Sequence, residues 1–209
     1  MSDKKILSLA GGLFLTAFLL VVVVFTSQMT QKTENITRVT PKASSGTTGI
    51  ATIRLNPSTK SDVLVNDNFA VDVLVDPKTL SNIQVIQFVV KYNSAALEIQ
   101  DSDAVRSGVQ ITKNTSLPMD VGQNIVQTDA TGVMVAYEVH SSEGYIPTGE
   151  FKVATINFKA KAVSAGINLS FDPNLTRMFA GGANDDFFST PPATSATYTI
   201  IADTKATIN

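Results

Sequence analysis

Four of the five glutamates, one histidine and two short acidic clusters are the residues C-terminal of position 50 with chemistry to offer. A glycosidase holds two carboxylates roughly 5–10 Å apart across a cleft, and Glu98, Glu138, Glu143 and Glu150 are all available. No local pattern selects a pair among them, so they read as solvated surface acids. His140 is the single histidine. A general base needs a nucleophile and an orienting group within reach, and no motif around His140 supplies either. It reads as a solvated residue where a strand gives way to a loop. One histidine and no cysteine exclude His clusters, thiol nucleophiles, disulfides and Cys-ligated zinc within one chain. Asp185-Asp186 and Asp101-Ser102-Asp103 offer oxygens of the kind Ca²⁺ takes, but neither has EF-hand spacing. The expectation is a chain with no catalytic residues, no cofactor and no metal centre. A formal charge of −2 over 209 residues also argues against a nucleic-acid binder, which carries a basic patch or stripe.

Binding surfaces are then the place to look, and strands must position them. In NIQVIQFVVKYNSAALEIQ (82–100), Ile86, Phe88, Val90 and Tyr92 fall on one parity. Val85, Gln87, Val89 and Lys91 fall on the other. Successive side chains of a strand point to opposite faces, so the first set is buried and the second faces outward. Phe69, Val71, Val73 and Val75 alternate in the same way, as do Val133, Val135, Tyr137 and Val139. In 151–162 the apolar set is Ala154, Ile156, Phe158 and Ala160, opposite Thr155 and Asn157. Phe151 lies off the apolar parity, which implies a kink near the strand entrance. Ser141 to Gly149 reads as a loop, and 175–182 is ambiguous. About nine strands with turn signals between them predict an all-β fold, a single antiparallel β-sandwich of jelly-roll type.

Ahead of the body, Ile6 to Phe25 carries no charge and has the roughly 20-residue length that crosses a bilayer as a helix. Lys4 and Lys5 precede it, which places the N-terminus in the cytoplasm. The expected order is a cytoplasmic tip (1–5), a transmembrane helix or signal anchor (6–27), a flexible Ser/Thr-rich linker (28–49), the sandwich (50–203) and a tail (204–209). This predicts a single-pass membrane protein with its body outside the cell, or a secreted one if the segment is cleaved. A pilin-like leader fits less well, because Ala17 stands where such a leader carries Glu.

Three segments resemble a known family. NDNFAVDVLV (66–75), QFVVKYNSAALEI (87–99) and TGEFKVATINFKAK (148–161) are similar, in order and spacing, to strands of bacterial cohesin domains. Cohesins are receptor modules of cellulosome-type assemblies, related to carbohydrate-binding modules. The likeness runs over about residues 50–203 and departs at Asn93-Ser94, where the family has Asp-Pro, and at Gln87, where some members place an acid. It implies a non-catalytic module whose sheet face meets a dockerin-type protein, with any Ca²⁺ held by the dockerin. On that reading the partner-binding face is Val85, Gln87, Val89 and Lys91 with Met134, Ala136 and Glu138, and with Thr155 and Asn157. An extracellular glycan is the other partner considered, and Tyr145, Phe187 and Phe188 are the loop aromatics that would contact it. The alternative function is a structural cell-envelope or stalk module that self-associates.

Overall fold

The computed structural model describes residues 51–129, 132–181, 186–188 and 195–203. The expected tip, membrane span, linker and tail lie outside them. Among the described residues no helix is long and apolar enough to cross a membrane.

The described residues form twelve strands in order: β1 (Thr52–Asn56), β2 (Thr59–Leu64), β3 (Asn68–Asp76), β4 (Ile83–Tyr92), β5 (Leu97–Ile99), β6 (Thr112–Lys113), β7 (Asp120–Asp129), β8 (Gly132–Tyr145), β9 (Phe151–Ala160), β10 (Ser164–Phe171), β11 (Arg177–Ala180) and β12 (Ala196–Ile201). They form two sheets. One runs β1-β3-β9-β5, with β6 also on β9. The other runs β2-β12-β10-β4-β8-β7, with β11 also on β4. The all-β sandwich is thus as expected, with two refinements. Short strands β6 and β11 were not legible, and β2 pairs with β12 in parallel, so the second sheet is not purely antiparallel.

The predicted buried parities make the core. Ile86, Phe88 and Val90 of β4, Val71, Val73 and Val75 of β3, and Ile156 and Phe158 of β9 are all fully buried in one cluster between the sheets. Rings connect the two layers: Phe158 stacks on Phe69 at 5.6 Å, and Phe69 meets Tyr198 of the other sheet at 5.3 Å. The kink expected near Phe151 is a register shift opposite Val73 and Leu74. It lets Val153 and Ala154, adjacent in sequence, both be buried, as a β-bulge does when it resets the alternation.

Two strands are served along one edge by a pair of shorter partners. Against β9, β5 pairs at Ala160–Phe158 and β6 at Thr155–Ala154. Against β4, β10 pairs at Val90 and Lys91, and β11 at Ile83 to Gln87. The gap at Val89 is closed by the turn between β10 and β11. Asp172 N–H donates to the Val89 carbonyl (2.8 Å), and Val89 N–H donates to Thr176 Oγ1 (3.3 Å). Every buried backbone group needs such a partner, and Thr176 is buried to supply it.

Candidate functional site

Register assigns the outer face of the β10-β4-β8-β7 sheet row by row. Gln127, Met134, Lys91 and Ser170 lie side by side on β7, β8, β4 and β10. The next row is Ile125, Ala136 and Val89. Then come Gln123, Glu138, Gln87 and Arg177, the last from β11, and finally Asp120, His140, Val85 and Phe179. Seven of the nine sequence-predicted face residues are therefore together. The other two are not. Thr155 and Asn157 sit on β9, in the opposite sheet, where Thr155 Oγ1 donates to Asp72 (2.6 Å) and Asn157 Nδ2 to Thr112 Oγ1 (2.9 Å). Alternation shows which residues face outward but not which sheet they belong to, and that is why they were grouped wrongly.

The middle of the face is more buried than an outward parity suggests. Val89, Met134 and Ala136 have 0%, 1% and 1% of their surface accessible, although none belongs to the cluster between the sheets. Val85, Gln87, Lys91 and Glu138 are half-buried. Sequence reading also missed the flanks: Gln123, Ile125 and Gln127 of β7, and Arg177 and Phe179 of β11. The alternation in 124–128 could have found the first group. β11 is too short to announce itself.

Charge on the face is mostly spoken for. Lys91 Nζ pairs with Asp172 at 2.9 Å. Arg177 pairs with Asp186 at 3.3 Å and donates to the carbonyls of Pro173 and Thr176. Among the described residues Glu138 has no ion-pair partner. Its carboxylate leans with His140 across β7 at Gly122, beside a bulge between Val121 and Gln123. A Cβ at position 122 would come within 2.7 Å of Glu138 Oε1 and 3.0 Å of His140 Nδ1, so only glycine leaves both side chains this place.

Asp172 ties the face to the turn behind it. Burial alone would raise its pKa. The Lys91 hydrogen bond and the N–H groups of Asn174 and Leu175 outweigh that and hold it below the ordinary aspartate value. A carboxylate depressed on folding stabilises fully above its unfolded pKa of about 4, and that contribution falls away as pH drops through the folded value. Thermal melts from pH 6 to pH 2 should therefore lose a component in Asp172→Asn: the variant is less stable at pH 6 and approaches the parent at low pH. Parallel curves at constant offset would show that the charge contributes nothing.

The loop aromatics do not form a platform. Tyr145 ends β8, which runs past the predicted loop start at 141, and packs edge-on against Phe151 at 5.2 Å. Phe188 is buried in the core beside Ala51. Phe187 is partly buried against that core, and its carbonyl accepts from Ala51 N–H at 3.0 Å. Asp186 is committed as well, since its Oδ1 accepts from Met178 N–H (3.0 Å) and Phe188 N–H (3.1 Å). Asp185 lies outside the described residues. A cavity of about 270 Å³ beside β7 and β8 is lined by Lys113, Asn114, Asp120 and Tyr137 among others, and by none of the three aromatics. Burial pushes the Tyr137 phenol up to about 12.

A family model described as "Cohesin domain" matches residues 53–185. No curated protein matches the chain. Among solved structures, it is similar to the cohesin module of a family 33 glycoside hydrolase from Clostridium perfringens, at 17% identity and a TM-score of 0.53, over 76% of this chain and 100% of that one. A non-cellulosomal cohesin from the archaeon Archaeoglobus fulgidus is 13% identical, with a TM-score of 0.52 over 75% and 94%. The third cohesin of ScaC from Acetivibrio cellulolyticus, solved in complex with the ScaB dockerin, is 11% identical, with a TM-score of 0.50 over 73% and 100%. At these identities the likeness is one of fold.

Proposed function

Because the chain belongs to the cohesin family, we propose that the outer face of its β10-β4-β8-β7 sheet docks a dockerin-type protein module, and that the protein works by binding and not by catalysis. The observation that carries this is the face itself. These strands, with β11 alongside β4, present Ile125, Val85 and Phe179 around a closely packed centre, with glutamines and Glu138 in the neighbouring rows. Such a mixed, low-charge plateau suits protein contact. Both of its cations are already paired within the chain, which leaves the Glu138 and Asp120 carboxylates to meet donors from the partner. The cohesin of Acetivibrio cellulolyticus solved with a dockerin supports the class of partner. The extracellular glycan has no comparable support, since Tyr145, Phe187 and Phe188 are engaged in packing.

The apolar run Ile6–Phe25 supports a single membrane anchor with this module displayed outside the cell. The test uses the full chain, extracted from membranes in detergent, against purified dockerin modules in Ca²⁺. The double variant Gln87→Lys, Glu138→Lys should weaken binding by about a hundredfold or more, as removal of a central contact with introduced repulsion does. Its melting temperature should stay within a few degrees of the parent. Undiminished binding would place the site elsewhere. Absence of any dockerin binding, with concentration-dependent oligomers in its stead, would favour the self-associating envelope module.

A further inference from the structure

The connection from β6 to β7 walls the cavity of about 270 Å³, and the chain holds that wall in place. Ahead of β6, Asn124 clamps Ile111, accepting its N–H and donating to its carbonyl, both at 2.8 Å. Val126 N–H donates to the Val109 carbonyl (3.0 Å). Within the connection, Asn114 Nδ2 donates to the Lys152 carbonyl (2.7 Å), and Asn114 Oδ1 accepts from Ser116 N–H (3.0 Å). Leu117 N–H donates to the Asn114 carbonyl (3.2 Å), and the Leu117 side chain is buried in the core. The cavity reaches from exposed Lys113 and Asp120 to buried Tyr137 and Val139 of β8. Pockets for drug-sized ligands hold roughly 300–1,000 Å³, so this one suits a small metabolite.

Tyr137 is 1% exposed, and its ring stacks on Phe88 at 5.2 Å. A buried tyrosine hydroxyl usually finds a hydrogen-bond partner, but this one has none among the described residues. It is not sealed either, for the sealed side-chain atoms without a partner are Gln110 Oε1 and Gln127 Nε2. Open space therefore lies against the phenol, and the cavity supplies it. Burial keeps the phenol protonated, so it can donate as well as accept. Lys113 and Asp120 line the same cavity without bridging each other, and neither pairs with another described residue. A cation and an anion held apart on one small cavity leave room for a molecule that carries the complementary pair. We propose that this cavity binds a small zwitterion, a free α-amino acid, with its carboxylate on Lys113, its ammonium on Asp120 and the Tyr137 hydroxyl on the buried side of that head group. Leu117, Met119 and Val139 wall a short aliphatic side chain. Asp120 also borders the docking face beside His140, so ligand and partner draw on one carboxylate.

The test adds glycine, L-serine or L-leucine, each alone, to the full chain in a non-ionic detergent with no dockerin present, and reads binding by calorimetry. Saturable binding of one molecule per chain is expected for at least one of the three. Acetate and methylamine carry one charge each and should bind about tenfold more weakly or less, as loss of a charge-assisted contact dictates. Tyr137→Phe removes one oxygen and leaves the ring on Phe88. It should weaken binding by about tenfold, while the melting temperature of the empty protein stays level or rises. Lys113→Met and Asp120→Asn should each weaken binding to a similar degree. No saturable binding by any of the three amino acids would overturn the site. So would binding undiminished in Tyr137→Phe and Lys113→Met. Acetate or glucose binding as tightly as the amino acids would overturn the zwitterion.

Discussion

Truncating Phe158 to alanine should lower the unfolding free energy by about 3–5 kcal/mol, the range found when a buried aromatic ring is deleted. Phe158 is fully buried on β9. Its ring stacks on Phe69 at 5.6 Å and meets Tyr92 edge-on at 5.6 Å. Phe69 in turn packs on Tyr198, and Tyr92 belongs to β4, so the loss reaches both sheets. Strands on either side pin the β9 backbone, so the site has little freedom to collapse into the void. Phe158→Leu, which retains most of the volume, should cost roughly half as much. Urea unfolding of the two variants checks the order. A loss under about 1 kcal/mol for alanine would mean that the rings do not carry the sandwich.

Val89→Lys is the second large effect, and it separates two neighbours that look equivalent in the sequence. Val89 and Gln87 share a parity on β4. Gln87 is half-buried in a polar row, while Val89 is wholly buried beside Ala136. An ammonium placed there loses its hydration with no acid across the row to meet it. The expected cost is about 2–5 kcal/mol, the lower end applying if the long side chain reaches out to water. Gln87→Lys should change stability by under about 0.5 kcal/mol. Equal melting temperatures for the two variants would show that the centre of the face is open. Docking is therefore probed at Gln87 and Glu138, since a Val89 variant would confuse lost binding with lost folding.

Much of the sandwich is legible in local alternation, because one buried face per strand imposes a period of two. That is why β3, β4 and β9 lie where the pattern puts them, and why the misplaced Phe151 signals a real bulge. What alternation cannot carry is pairing. Thr155 and Gln87 have the same local signature, yet long-range registry sends them to opposite sheets. β11 contributes Arg177 and Phe179 to the face from four residues whose strand character exists only because β4 lies alongside. Likewise, the buried centre at Val89, Met134 and Ala136 reflects neighbours on adjacent strands, which no stretch of one strand records. The two aspartates at 101 and 103 were visible as oxygens. The hydrogen bond from Gln110 N–H to Asp101 Oδ1 was not, because it depends on how the loop folds back.

The clamp of Asn124 on Ile111 also bears on how copies of this protein behave when crowded together. β7 is a ten-residue strand at the rim of its sheet, the kind of rim on which another chain can zip up and seed aggregation. Here an asparagine side chain offers a donor and an acceptor in place of a neighbouring backbone, and Val109 fills the next position. The rim is thereby occupied along its middle by the chain's own loop. Along that stretch the backbone is already partnered, so a neighbouring copy finds no template there to extend.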